Sequence, residues 1–362
     1  MHLFKNALFT LLFFALFFTT HGQTTKSLID NPDISWVAEA YTYYAPSTNS
    51  LDLGKEEMKK LYHIEERNSA RLLKLVDVLS DDNLYAREKE LATFMLHLDA
   101  SKVKVYTSSD LESTYTAKEY QNKKSAIDTI ITFDPQTYEE IVQVIVSAFD
   151  EGQVEVFKVK QLIYYNNKTK QLNSVPVAIA PMLTLLKNTG GVEVEAEGHM
   201  ELFWLPITAL QQPLKLDKSN YNYAIRMTRN INEKEMKVLK GDWTLGQVVK
   251  DMVADGTKNP TTTKMYQNIG YMEAMSPDEV ENFGNSVDTI ITFDPETFEE
   301  IVQVVTDAFD ANDVKSLRLV QDWVWDTKKQ QLNVRLIAYA PVQHPKDDKG
   351  WLKPLFYKKP WE

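Results

Sequence analysis

Three acidic positions recur in the same order at two places in this sequence, Asp134, Glu139 and Glu140, then Asp294, Glu299 and Glu300. Two carboxyls roughly 5–10 Å apart are what glycoside hydrolysis requires, one protonating the leaving oxygen and one attacking or activating water. Their setting points elsewhere. Each trio opens with Asp-Pro after a β-branched run and continues into Glu-Glu. That order suits a helix start, where aspartate caps free amides, proline fits the first turn and glutamates face the positive helix end. We therefore assign Asp134 and Asp294 as structural helix N-caps, and Glu139, Glu140, Glu299 and Glu300 as solvent-facing acids open to a partner.

Other reactive residue types offer less. The histidines, His2, His21, His63, His97, His199 and His344, form no His-Glu-x-x-His pair. No cysteine is present, which excludes thiol catalysis, thiolate zinc sites, iron–sulfur clusters and an acylated-cysteine anchor. The glycines form neither a phosphate loop nor a dinucleotide fingerprint, and no Gly-x-Ser-x-Gly elbow occurs. The reading is therefore non-enzymatic, with no catalytic residue, cofactor or metal. A net charge of −11 without a compensating basic cluster argues against nucleic acid. Trp323 and Trp325 share one face of an expected strand, and their counterparts Ile163 and Tyr165 favour a core role for that face.

The elements that would position these residues are duplicated. Asp128-Thr-Ile-Ile-Thr-Phe-Asp-Pro-Gln-Thr-Tyr-Glu-Glu-Ile-Val-Gln-Val returns 160 residues later, nearly unchanged, from Asp288. The correspondence extends to Tyr106 and Tyr266, to Thr116–Glu119 and Ser276–Glu279, and to Ala180-Pro181 and Ala340-Pro341. With a shift of seven residues it reaches Leu202-Phe-Trp204 and Leu355-Phe-Tyr357. A chain of 362 residues suits about two domains at roughly 150 residues each, so each copy is expected to bury its own core.

Each copy reads as a strand, then a helix whose apolar residues fall at three- and four-residue steps (Ile141, Val142, Ile145; Ile301, Val302, Val305), then a hairpin. Capping boxes at Thr116 with Glu119, Ser276 with Glu279 and Thr244 with Gln247 mark further helices. Glu56–Leu79 reads as an amphipathic helix, and Gly256 as a left-handed helix cap. Pro176 marks its strand as an edge or a bulge. The predicted fold class is α+β, a tandem duplicated domain in which amphipathic helices lead a small, mainly antiparallel sheet. Residues 1–22 read as a cleavable export signal, from Lys5, the apolar run Ala7–Phe18 and Gly22 before Gln23. The repeats then span 23–204 and 205–362. The second ends in an aromatic tail in which Trp351, Phe356, Tyr357 and Trp361 stand among lysines and are candidate partner-binding residues.

The duplicated block, the hairpin ending in Arg335-Leu-Ile-Ala-Tyr-Ala-Pro341 and the Pro354-Leu-Phe-Tyr357 stretch resemble the GldN/PorN family of the type IX secretion and gliding machinery of Bacteroidetes. The resemblance implies a periplasmic assembly protein on the inner side of the outer membrane. Its partners would be an outer-membrane lipoprotein of the GldK/PorK type and related subunits in a homo- or hetero-oligomeric ring. The chain departs from the family pattern in carrying the block twice. The alternative is a soluble periplasmic binding or adaptor module unrelated to secretion.

Overall fold

The computed structural model describes residues 21–44, 69–72, 91–133, 137, 140–148, 151–187, 195–210, 221–344 and 352–360, with short interruptions at 155, 261–262, 270–272, 283–284, 294 and 308. Strands dominate. The first repeat supplies β1 (Ile34–Tyr44), β2 (Ser69–Leu72), β3 (Ser125–Phe133), β4 (Glu140–Ala148), β5 (Val156–Asn166), β6 (Gln171–Lys187) and β7 (Glu195–Glu201). The chain continues with β8 (Leu205–Ala209), β9 (Tyr221–Asn232), β10 (Met236–Lys240), β11 (Ser286–Phe293), β12 (Glu300–Asp307), β13 (Val314–Asp326), β14 (Gln331–Gln343) and β15 (Lys353–Pro354). The described helices are α1 (His21–Asp30), α2 (Leu91–Leu96), α3 (Ala117–Lys123), α4 (Leu245–Lys258) and α5 (Pro277–Glu281).

Eleven strands make one sheet in the order β10-β1-β5-β6-β8-β14-β13-β9-β2, with β7 beside β6 and β15 beside β14. Read from its two ends the order is nearly the same, because β1-β5-β6 answers to β9-β13-β14. The repeats are thus related by an approximate two-fold axis near β8, which runs antiparallel to β6 and parallel to β14. They also trade outer strands. The strand after β1 crosses to pair with β9, and the strand after β9 crosses back to pair with β1.

This overturns the α+β expectation, since one large curled mixed sheet replaces two small sheets led by helices. The helices predicted after each Asp-Pro are the strands β4 and β12, with Ile131 opposite Val142 and Ile291 opposite Val302. Their three- and four-residue spacing is a weaker signal than their content of valine and isoleucine, whose branched Cβ is stiff in a helix and suits a pleated surface. Asp134 and Asp294, assigned to cap those helices, lie outside the described residues. The segment 56–79, predicted as a helix, contains β2. The rest of it also lies outside them.

Nor does each repeat keep a core to itself. One buried cluster joins Tyr44, Leu91, Met95 and Phe203 to Tyr223, Trp323 and Trp325, and a second joins Trp36, Ile163 and Tyr165 to Leu245, Val248, Met252 and Phe356. Near the two-fold axis the equivalent residues Gln161 and Gln321 meet, the Gln321 amide donating to Gln161 Oε1 over 2.9 Å. Gln161 in turn donates to Tyr44 Oη at 2.6 Å and accepts from Ser174 at 2.9 Å.

Local chemistry explains the remaining elements. Thr244 and Gln247 form the capping box of α4, which buries Leu245, Val248, Val249 and Met252. Gly256 is not its cap. It lies within the helix, where an added Cβ would come within 2.8 Å of Met265 Cε. The hairpins β5–β6 and β13–β14 turn through four residues whose last, Lys170 or Gln330, adopts φ of 53° or 51°. Pro176 sits opposite Gln161 at the bulge in β5–β6, one of the places where a strand accommodates proline.

Candidate interaction surface

Among the described residues two hairpins stand apart from the main sheet as arms, β3–β4 and β11–β12, each forming a two-stranded sheet of its own. In the second arm Ile290, Ile291, Phe293, Phe298, Ile301, Val302 and Val304 are all exposed, Phe293 by 65% and Phe298 by 79%. Residues opposite one another in an antiparallel pair share a face. The register therefore puts Ile291, Phe293, Val302 and Val304 on one face and Ile290 and Ile301 on the other. Phe298 holds a left-handed backbone, φ 56°, which non-glycine residues seldom adopt. A lone two-stranded hairpin is marginal in water, so an arm with two apolar faces lacks the packing that usually secures one.

The base of each arm is built alike. Thr116 Oγ1 accepts from the Glu119 amide at 3.2 Å while Glu119 accepts from the Thr116 amide at 2.7 Å; Ser276 and Glu279 repeat this at 3.3 and 2.7 Å. These amides hold the Glu119 and Glu279 carboxyls below the usual carboxylate range. Tyr120 and Val280 anchor the two short helices in the cores. Beyond them, Tyr106 pairs through its backbone with Trp204, and Tyr266 pairs in the same way with Tyr357. The charges differ. Lys118, Lys123 and Lys124 lead into the first arm, where the second repeat has Asp278, Phe283 and Gly284.

A second exposed feature lies at the rim of the sheet. Among the described residues β10 is a terminal strand, paired with β1 on one side only. Lys234 precedes it, it carries Lys237 and Lys240, and Val238 is 46% exposed.

The structure places the sequence-derived candidates unevenly. Glu299 and Glu300 lie exposed at the tip of the second arm beside Glu296, and Glu140 opens β4. Glu139, Trp351 and Trp361 lie outside the described residues. Phe356 is fully buried in the second core cluster, and the Tyr357 hydroxyl accepts from Arg318 Nη1 at 3.2 Å. Trp323 and Trp325 are buried, as the core reading expects. Among the described residues no group of three histidine or acidic side chains is disposed to hold a metal. A cavity of about 330 Å³ between β6 and β14 is lined by Ser174, Pro176, Leu210, Val334, Leu336 and Pro360, a set without an acid, base or nucleophile pair.

Two equivalent units with equivalent arms invite comparison with known families. A model of the family described as "Gliding motility associated protein GldN" matches residues 67–237 and again residues 216–359. The chain belongs to the GldN family. No curated protein matches it closely enough to count as a relative. The double match agrees with a duplicated GldN core and makes the chain a component of the gliding and type IX secretion machinery, a structural family. No described helix of this GldN-family chain is long and apolar enough to cross a membrane.

The arms are what sequence reasoning missed. The signal was present in Ile-Ile-Thr-Phe and Ile-Val-Gln-Val, two β-branched runs parted by an Asp-Pro turn, which is a hairpin pattern as much as a helix start.

Proposed function

We propose that the chain is a non-enzymatic assembly component on the periplasmic side of the outer membrane, building or decorating a ring with a lipoprotein of the GldK/PorK type. The observation that carries this reading is the doubled family match on a body whose repeats each project an arm. A duplicated unit presents equivalent surfaces twice, and head-to-tail contacts between such surfaces close into a ring when the rotation permits. Residues 1–22 would direct export, and the repeats 23–204 and 205–362 would occupy two quasi-equivalent positions. We assign the partner contacts to the tail and the arm tips. Phe356 seats the tail in the core, leaving Trp351, Tyr357 and Trp361 to meet the lipoprotein, and Glu139, Glu140, Glu299 and Glu300 to meet neighbouring subunits.

Affinity purification of the tagged full chain from solubilised outer membranes tests this reading. A high-mass complex containing a lipoprotein is the expected product. A chain recovered alone, from membranes that retain the lipoprotein, overturns it.

A further inference from the structure

The large apolar side chains left exposed among the described residues are concentrated on the second arm; of the other two, one is Val238 on β10. Arm and strand are complementary in three respects. Among the described residues both have unpaired backbone edges, since β11–β12 is a sheet of two strands and β10 is terminal in its sheet. Such edges add strands readily unless blocked, and lysines are the usual block. The arm tip is acidic, with Glu296, Glu299 and Glu300, while β10 itself carries Lys237 and Lys240 and no acid. The block on this edge is thus one that an acidic strand relieves.

The registers also agree. Laying Glu300–Val304 antiparallel to Met236–Lys240 puts Glu300 opposite Lys240, Val302 opposite Val238 and Val304 opposite Met236. An exposed valine then covers an exposed valine and an acid faces a base, both favourable cross-strand pairs. We infer that the β11–β12 arm docks on the free edge of β10 in a second copy of this chain, extending its sheet by strand addition. This deepens the assembly reading above and rests on it for the meeting of copies.

The occupant is a second copy because this chain carries both halves of the match, on surfaces that are not paired with each other within one molecule. The contact is also one-sided. β2, the counterpart of β10 at the opposite rim, reads Ser69-Ala-Arg-Leu72 and has no lysine row. Arm to β10 is therefore a heterologous contact that propagates from copy to copy. It buries on the order of 600–800 Å² over both partners, below the roughly 1,200 Å² of a stable interface, so single contacts are weak and act together in a closed array.

The absence of cysteine makes the test direct. Full-length chains carrying V302C and V238C, one enlarged by a tag, are purified separately, mixed and oxidised. Opposite residues of paired antiparallel strands lie within disulfide reach. We expect a mixed disulfide dimer, formed several times more than between V302C and K329C, a turn lysine whose side chain is 71% exposed. Adding E300K to the V302C chain should suppress it, and K240E in the V238C chain should restore it; because the Lys240 ammonium also donates to the Asn31 carbonyl at 2.7 Å, each chain is first checked to melt cooperatively. Equal yields for pair and control, or suppression that K240E does not reverse, overturn the proposal. The same V302C chain cross-linked in whole cells to another protein instead of to V238C also overturns it. If membrane complexes still form while the cross-link is absent, the arm proposal fails and the assembly reading stands. If the chain is recovered without its lipoprotein, the assembly reading fails on its own.

Discussion

The two repeats share topology, register and turn geometry but not interior chemistry. Where the first repeat pairs Leu162 with Val175 and Glu39, the second pairs Asp322 with Arg335 and Arg226. Asp322 is fully buried, and it accepts from Arg226 Nε at 2.6 Å, Arg226 Nη2 at 2.9 Å and Arg335 Nη2 at 2.7 Å. Likewise Leu205, which bridges toward Ile179 in the first repeat, is replaced by Lys358 toward Tyr339 in the second, and Lys358 is fully buried too. The fold therefore demands strand pairing and filled volume at these sites. Charge enters with a matching set of partners at Asp322 and, among the described residues, without a hydrogen-bond partner for the ammonium at Lys358.

Cutting the repeats apart gives the largest expected effect. Because β2 and β10 are exchanged and both cores are shared, residues 205–362 expressed alone should show no cooperative thermal transition, and co-expression with 23–204 should restore one. A fragment that melts cooperatively by itself would show that the sharing is incidental.

Next comes the buried carboxylate. D322L, which copies the first repeat, removes the acceptor shared by two partly buried arginines and should cost about 3–5 kcal/mol of unfolding free energy in a denaturant titration, most of it recovered when R226M and R335V are added. If D322L alone is neutral, the set does not act as one.

Lys358 is the converse case, a charge that burial disfavours and pushes down to about 8. An unfolded lysine keeps its proton to about 10.4, so the unfolded chain binds more protons between those values and stability rises with pH across that window. K358L, again copying the first repeat, should stabilise the protein by about 3 kcal/mol below pH 8, with the gain fading toward pH 10.4. A gain independent of pH would assign the effect to packing. The smallest effect is expected at the shared arm bases, where T116A and S276A should each lower stability by about 1 kcal/mol and to a similar extent. Unequal losses would mean that the two arms are held differently.

Much of this was legible in the residues. The capping boxes at Thr116, Ser276 and Thr244 and the hairpins around Asn166 and Asp326 rest on local chemistry, and the equivalence of Leu202–Trp204 and Leu355–Tyr357, which pair alike with Tyr106 and Tyr266, rests on the repeat; a sequence carries both whole. The arms were not legible, because Ile301, Val302 and Val305 satisfy a helical period and a strand alternation equally well over so short a run. Gly256 misled for a related reason. A helix-closing glycine and one admitting Met265 at close range look the same until the neighbour is known.

What the sequence determined by itself is the duplication, and with it the family and the equivalence of the two units, since an ungapped repeat needs no coordinates to be seen. Only the tertiary structure decided that the units share one sheet, exchange β2 and β10, meet at Gln161 and Gln321 and hold their arms away from it. The physical reason is that strand pairing joins residues far apart in the chain. A β-branched run fixes that a strand forms, while its partner is chosen by which free edge the folded body brings to it.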